Sequence, residues 1–291
     1  MVMKTLVLSG GGVLGFIHLG ALQYLNDTQI LPDIEKYIGT SIGAIICYLL
    51  IIGFSPIEIC LYLIQNNSLD RIDHHFNIVN LFYGNGGALS FDPIMAIIRE
   101  MTLMKRSSIP TLSELYESSQ GKQFVICTYN FTKDREELLQ ASSHPDLDCL
   151  VALRMSSNIP ILFEPFEYNG DIYFDGMLTN NFPLHAIDPY NDFFIAISLI
   201  QNYDRPMFLS EIVVLDLILR ILRIPLTNLQ NLKNEPFHHR GVVVTIKNND
   251  FTPWRFHLSK SEILDLFSLG YHEVRTFNID GDFFTSRLSI L

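Results

Sequence analysis

The chain has 291 residues, of which 48% are hydrophobic, with a formal net charge of −11 and a mean hydropathy of +0.23. This length allows one large or two small domains, and the composition supplies ample apolar material for a buried core. The negative charge, which no basic cluster relieves, argues against a nucleic-acid partner and against electrostatic adsorption to anionic lipid.

Cysteine usage and hydropathy set further expectations. The four cysteines are scattered in apolar contexts without metal-ligand spacing: Cys47, Cys60, Cys127 and Cys149. We expect buried free thiols in a reducing compartment and no metal site. The apolar run at the N-terminus is too short for a signal peptide, and no stretch reaches the roughly 18 apolar residues of a spanning helix. We therefore expect an intracellular protein, cytoplasmic or peripherally membrane-associated.

The chain opens with a strand, a glycine loop and a helix. Residues 5–9 are short and apolar, as in a buried strand, and residues 16–26 carry leucines at helical spacing. This order is typical of the start of a parallel α/β sheet. Gly10, Gly11 and Gly12 between the two elements allow positive φ and leave successive N–H groups free to converge on an anion.

The same loop matches the dinucleotide fingerprint through Gly10, Gly12 and Gly15. That alternative requires an acidic residue at the end of the second strand, to bind a ribose hydroxyl. Here the second strand leads into Ser41, and the nearby acidic residues precede that strand. Dinucleotide binding is therefore the weaker interpretation.

A Gly-x-Ser-x-Gly pentad, Gly39, Ser41 and Gly43, stands between an extended apolar segment and the apolar run 42–54. In this context a strand ends at a tight turn and a helix begins, with the serine hydroxyl pushed outward as a nucleophile. The glycines allow strand and helix to approach closely. The alternative is a serine that caps a helix between two packing glycines.

The rest of the chain alternates helices, strands and turns. We predict helices from Ser55-Pro56 to 66, from Asp92-Pro93 to 101, after the capping box 111–114, and over 146–155, 212–222 and 259–277. We predict strands over 123–129, 193–199 and 241–247. A hairpin over 166–174 turns at Asn169-Gly170, and a loop lies at 85–87. Residues 208–225 are apolar on every face, which is typical of a buried helix. The alternative is a lid or membrane-contact helix with Arg220 and Arg223 at its polar edge.

Asp175-Gly176 follows the hairpin directly, where a carboxylate at a strand end points toward a site or simply begins a loop. A serine nucleophile needs a base, and the histidines have no acid partner that the sequence identifies: His18, His74, His75, His144, His185, His238, His239, His257 and His272. A Ser41–Asp175 pair fits the order of the motifs better.

The order of glycine loop, pentad and Asp175-Gly176 resembles that of the patatin-like phospholipase family. Residues 154–160, Arg-Met-Ser-Ser-Asn-Ile-Pro, and residues 180–183, Asn-Asn-Phe-Pro, are similar to further segments of that family. The matching blocks cover about residues 4–200. Three motifs in the right order are far more specific than any one of them.

This resemblance implies a three-layer α/β/α fold with a mostly parallel central sheet, and lipid acyl hydrolysis by a Ser–Asp dyad without cofactor or metal. The residues carried over are Ser41 as nucleophile, Asp175 as proton acceptor, Gly10, Gly11 and Gly12 as the oxyanion hole, and Gly15, Gly39, Gly43 and Gly176 as motif glycines. We expect one domain over 1–291, with an extension of amphipathic helices from about 201, and a lipid substrate at a membrane or lipid-droplet surface.

Two positions depart from the family pattern. Leu14 stands where many members have Arg or Lys, a variant that resembles the triacylglycerol-lipase branch, and Met177 stands where Gly or Ala is usual. The alternatives to a phospholipase are therefore a neutral-lipid lipase of the same mechanism, or a lipid-binding protein with little turnover.

Overall fold

The computed structural model describes residues 3–72, 87–188, 193–201, 214–234 and 241–279. His74, His75, His238 and His239 lie outside these residues, as do residues 85–86 of the predicted loop. The strands are β1 Thr5–Leu8, β2 Lys36–Thr40, β3 Gln123–Asn130, β4 Arg135–Leu139, β5 Phe166–Tyr168, β6 Asp171–Asp175, β7 Phe194–Gln201 and β8 Gly241–Asn248. The helices are α1 Gly15–Asp27, α2 Ile42–Ile51, α3 Pro56–Gln65, α4 Asp92–Lys105, α5 Leu112–Ser118, α6 Cys149–Ser156, α7 Met177–Asn180, α8 Val214–Asn234 and α9 Lys260–Ile279.

The strands form one sheet in the order β5-β6-β3-β2-β1-β7-β8, with β4 also paired to β3. β3, β2, β1, β7 and β8 run parallel, whereas β4, β5 and β6 pair antiparallel. Short apolar strands buried on both faces suit the centre of a parallel sheet. The expected three-layer α/β/α fold with a mostly parallel central sheet is confirmed.

Alternate side chains of the central strands point to opposite layers. Leu6 and Leu8 of β1 lie in the larger core with the apolar faces of α1 and α2. Val7 of the same strand lies in the smaller core on the other face, with Phe182 and Leu184. The segment after α7 thus covers the sheet face opposite α1 and α2.

Helix α9 packs along α1 at two glycines. A Cβ on Gly20 would collide with the Phe267 carbonyl, and one on Gly270 with the Ile17 carbonyl, so the backbones touch. β8 completes the same sheet beside β7. Because both C-terminal elements pack on the core, we propose that the chain forms one domain.

Most predicted elements are confirmed, including the helix start at Ser55-Pro56, the capping box at Thr111 and the hairpin turn, whose Asn169 and Gly170 both have positive φ. The helix predicted over 146–155 begins later, because Asp148 caps it by accepting from the Leu150 and Val151 N–H groups. Within the parts of the chain that the structure describes, no one helix is long and apolar enough to cross a membrane; α2 and α3 together would be, but are bent by 112°.

Candidate active site

Ser41 lies on the turn between β2 and α2 with φ 55° and ψ −127°, a conformation that costs a non-glycine residue free energy. A Cβ at Gly39 would lie 2.5 Å from the Ala44 nitrogen, and one at Gly43 2.5 Å from the Leu8 carbonyl oxygen. Both positions therefore require glycine. The Ser41 side chain makes no capping hydrogen bond to α2, so the helix-cap interpretation is wrong.

A second serine fixes the backbone of this turn. The Ser41 N–H donates to Ser156 Oγ over 2.9 Å, and the Ser156 hydroxyl donates to the Cys127 carbonyl over 2.6 Å. All three groups are buried. Ser156 thus joins the turn to strand β3. It belongs to the segment 154–160, for which the sequence alone suggested no role.

The register along β3 brings Asp175 beside Ser41. One edge of β3 pairs first with β2, and this pairing ends where Cys127 lies opposite Thr40. The same edge then pairs with β6, and that pairing begins where Thr128 lies opposite Asp175. Thr40 and Asp175 are therefore consecutive along one edge although they lie far apart in sequence. Gly176 packs between the Cys127 carbonyl and the Thr40 methyl group.

The Asp175 carboxyl group is fully buried. Its Oδ1 accepts from the Met177 N–H over 2.8 Å, whereas Oδ2 has no hydrogen-bond partner. Burial raises the pKa of Asp175 to about 7, and the Met177 N–H and the Ser41 hydroxyl partly offset that rise. The Ser41 hydroxyl is therefore near enough to favour the carboxylate, although no hydrogen bond of ordinary geometry joins the two groups. Such contacts often tighten only when a substrate binds.

A buried arginine braces the strand that carries Asp175. The Asp175 N–H donates to the Asn158 carbonyl over 2.9 Å, and the Asn158 amide donates to the Tyr173 carbonyl over 3.0 Å. Arg154 in turn donates to Asn158 Oδ1 over 2.6 Å and stacks on the Phe91 ring. Arg154 acts as a structural support, since its guanidinium is held by these groups.

The glycine loop passes beside Ser41, since a Cβ on Gly10 would lie 3.2 Å from the Ser41 Cβ. The Gly10 N–H already donates to the Asn181 carbonyl over 3.0 Å. The N–H groups of Gly11 and Gly12 have no backbone partner among the described residues. Gly12 has φ +53°, and Gly15 begins α1 against Ile42. Of the three predicted oxyanion glycines, Gly11 and Gly12 are thus the ones with available donors.

Two cavities meet at Ser41. The first is lined mainly by apolar side chains of α1, α2, α3 and α4, and its polar side chains are serines. Residues that line its length include Leu19, Ile46, Leu63, Ile94 and Met101. The apolar lining of this cavity suits a hydrocarbon group.

The second cavity lies on the side of Asp175 and the glycine loop. Leu14 and Met177, the two departures from the family pattern, both line it, together with Leu226 and Thr227 of α8. No histidine among the described residues lines either cavity. Ser41 thus stands where an apolar cavity meets a more polar one, and Asp175 lines the more polar one.

His185 has an acid partner that the sequence did not reveal. His185 Nε2 lies 2.7 Å from Glu136 Oε1, and Lys233 of α8 contacts the other oxygen of the same carboxylate over 3.1 Å. Glu136 lies on β4, the strand that sequence analysis missed. This cluster fastens the end of α8 to the sheet, and none of its three side chains lines either cavity. The four cysteines are buried and free, as predicted.

Helix α8 exposes a stripe of apolar side chains: Leu217, Ile221, Ile224 and Leu232. Their spacing of four, three and eight residues keeps them on one face, opposite Leu226, which lines the second cavity. The buried-helix interpretation is therefore wrong for Leu217, Ile221 and Ile224, whose side chains are exposed. Ile212, Leu215, Leu219, Leu222, Arg220 and Arg223 lie outside the side chains that the structure describes.

The match to a known protein family covers the part of the chain that carries the glycine loop, Ser41 and Asp175. A model of the patatin-like phospholipase family matches residues 6–188. The probable lipid hydrolase 463L of Invertebrate iridescent virus 6 is 37% identical over 194 residues, which cover 65% of this chain and 64% of the viral protein. The chain thus matches somewhat less than two thirds of that relative's length.

Two solved structures share the fold. VipD from Legionella pneumophila has a TM-score of 0.58 at 14% identity and is matched over 95% of this chain and 66% of its own. The type III effector protein ExoU has a TM-score of 0.51 at 17% identity, over 95% of this chain and 52% of its own. At these identities the similarity extends to the fold alone.

Proposed function

Because the chain belongs to the patatin-like phospholipase family, we propose that it is a lipid acyl hydrolase whose nucleophile is Ser41 and whose proton acceptor is Asp175. The observation that carries this proposal is the position of the strained Ser41 turn. It stands beside a buried carboxylate with an unpartnered oxygen and opens onto an apolar cavity. Strained turns of this kind persist where the surrounding structure holds them for function.

The reaction proceeds in two steps. Ser41 Oγ attacks the ester carbonyl carbon while Asp175 accepts the hydroxyl proton, and the negative oxygen of the tetrahedral intermediate is bound by the Gly11 and Gly12 N–H groups. Collapse expels the alcohol, which takes its proton from Asp175, and leaves an acyl group on Ser41. Water, deprotonated by Asp175, then attacks that ester. Ser41 Oγ takes the proton back from Asp175 as the second tetrahedral intermediate collapses, and the fatty acid is released.

The two cavities divide the substrate in this proposal. The apolar cavity receives the acyl chain, because its lining side chains offer hydrocarbon contacts and almost no hydrogen-bond partners. The second cavity receives the alcohol part of the ester. Leu14 and Met177 make part of its wall apolar, which favours neutral glycerides as a second candidate substrate class beside phospholipids.

The substrate is held in a bilayer or droplet, so the enzyme has to reach that surface. We assign this contact to the exposed α8 stripe, because the same helix lines the second cavity through Leu226 and Thr227 and thus joins surface and site. With a net charge of −11, attachment is apolar rather than electrostatic.

Fatty-acid release from phosphatidylcholine vesicles and from a trioleoylglycerol emulsion tests the function. We expect wild type to release fatty acid from at least one of them and the folded Ser41→Ala variant from neither. Lipid binding without release by wild type would instead favour the lipid-binding alternative, and equal release by both proteins would exclude Ser41 as the nucleophile.

A further inference from the structure

The carbonyl oxygens of the glycine loop accept the hydrogen bonds that hold it, whereas the Gly11 and Gly12 N–H groups are not used for this purpose. In a trans peptide the C=O and N–H point in opposite directions, so fixing one end of the unit fixes the other. No peptide in the described residues is cis. The orientation of the Gly11 and Gly12 N–H groups can therefore be traced to whatever binds the preceding carbonyls.

The Ser9–Gly10 peptide is held at both ends. His18 Nε2 lies 2.9 Å from the Ser9 carbonyl oxygen, and the Gly10 N–H donates to the Asn181 carbonyl over 3.0 Å. Ser9 is anchored further, because its hydroxyl accepts from the Leu199 N–H over 3.0 Å. This unit cannot rotate without breaking bonds in a region that excludes water.

The next two peptides carry the free donors. The Gly10 carbonyl accepts from the Asn181 side-chain amide over 3.3 Å, so the Gly11 N–H points away from Asn181. The Gly11 carbonyl accepts from the Leu14 N–H over 3.0 Å, which directs the Gly12 N–H outward in the same way. Two side chains, His18 and Asn181, thus supply the bonds that the backbone does not make for itself.

We infer that His18 and Asn181 are positioning residues for the oxyanion-binding loop, which they fix before substrate arrives. The inference rests on the proposed function, because it concerns the donors that bind the developing oxyanion. Neither residue touches the reacting atoms. Donors held in advance at the place where charge develops stabilise the transition state without reorganisation.

The chemistry of His18 suits this role. Its ring is fully buried on α1, and because the Ser9 carbonyl can only accept, Nε2 carries the proton. Nδ1 has no partner, and burial lowers the pKa of His18 to about 4. The ring is therefore neutral near pH 7 and makes one hydrogen bond, to the loop. An apolar side chain would fill this core position without leaving a buried nitrogen unsatisfied.

The test compares variants that keep or remove each donor. His18→Gln retains an N–H at the position of Nε2, whereas His18→Met fills the space without one. Asn181→Asp keeps the shape of the side chain but replaces the N–H donor by a carboxylate oxygen, which cannot donate to the Gly10 carbonyl. Thr102→Val is the matched control, since it removes a buried hydrogen bond, to Tyr48 over 3.0 Å, away from the loop.

Steady-state hydrolysis of a soluble short-chain ester at pH 8 is the readout. We expect His18→Met and Asn181→Asp to lower kcat by about 30-fold or more, approaching the loss from removing one oxyanion donor, with KM changed less than about threefold. His18→Gln should restore most of the activity. Thr102→Val should lose stability but not kcat.

Backbone amide NMR signals of Gly11 and Gly12 give a second measurement that needs no turnover. We expect them to broaden or split in any folded variant that lacks a donor and to stay single in His18→Gln. Unchanged kcat and unchanged glycine signals in His18→Met and Asn181→Asp, with wild type active, would overturn the inference and leave the proposed function intact. A wild type that hydrolyses no ester would overturn the function first.

Discussion

Ser41 occupies a backbone conformation that glycine adopts more easily, so the turn costs stability while it holds one hydroxyl at the junction of the two cavities. This strain is independent of the hydroxyl itself. Both alanine and glycine at position 41 remove Oγ, and only alanine keeps the Cβ that makes φ 55° unfavourable. The difference between these two variants therefore isolates the strain.

We predict that Ser41→Ala unfolds within a degree or two of wild type, and that Ser41→Gly is more stable than Ser41→Ala by about 1 kcal/mol. The relief of strain exceeds the extra entropy that glycine loses on folding. Denaturant unfolding of the two inactive variants measures the difference. A glycine variant less stable than the alanine variant would mean that the turn is not strained.

The protonation of Asp175 makes both activity and stability depend on pH, and in opposite directions. Burial raises its pKa from 3.8 to about 7, so the folded protein binds a proton there that the unfolded chain releases near pH 4. The stability that this proton contributes is complete below about pH 4 and is lost as pH rises through about 7. Proton acceptance from Ser41, in contrast, requires the carboxylate.

We predict that kcat/KM of wild type rises with pH through an apparent pKa near 7. Asp175→Asn should lose hydrolysis but unfold at a higher temperature than wild type at pH 8, by an amount equivalent to a few kcal/mol, and lose that advantage at pH 4. Thermal scans across this range provide the check. A stability gap that does not change with pH would show that Asp175 is not buried as an acid of raised pKa.

At the scale of elements, α8 is the helix that we propose contacts the lipid surface. Ile221 and Ile224 are 56% and 61% exposed, on the face opposite the second cavity. We predict that replacing both residues by serine weakens binding to phosphatidylcholine vesicles about tenfold or more, because the free energy gained by burying two isoleucine side chains in lipid is lost. Hydrolysis of a soluble ester should change little.

Leu264→Ser on α9 is the control for that experiment, because Leu264 is 50% exposed and distant in sequence from the stripe. Vesicle flotation at low and high salt measures binding. An equal loss in the control, or binding that falls steeply with added salt, would contradict an apolar contact through α8.

The apolar cavity makes a separate prediction about chain length. Ile94 of α4 lines this cavity and is only partly buried, so a phenylalanine there projects into space that the acyl chain would use. We predict that Ile94→Phe lowers kcat/KM for a long-chain ester by about tenfold or more relative to a short-chain ester. Leu103→Phe, on an exposed position of the same helix, should leave the ratio unchanged. A ratio that does not move would place the acyl chain elsewhere.

For the molecule as a whole, local patterns predicted the strands other than β4, the glycine loop, the Ser41 turn and the Asn169-Gly170 hairpin, because each is specified by neighbouring residues. The approach of Ser41 to Asp175 depends on the register of two strands along β3, which no local pattern contains. The Ser156 hydroxyl that holds the turn is a long-range contact of the same kind.

Other features were missed for identifiable reasons. β4 begins Arg135-Glu136-Glu137 and has no alternation of apolar residues, so nothing marked it as a strand. The acid partner of His185 lies on that strand and was missed with it. The α8 stripe was obscured because apolar residues also occupy other faces of the helix, and only its packing shows which face is free.

The central claim is that Ser41 and Asp175 act as one unit in ester hydrolysis. The measurement that tests it most directly is kcat for a soluble ester with wild type, Ser41→Ala, Asp175→Asn and the double variant, each shown to be folded. We predict that each single variant loses about 10³-fold or more and that the double variant is no worse than either. Losses that multiply in the double variant, or a folded His185→Gln variant as inactive as Asp175→Asn, would contradict the dyad.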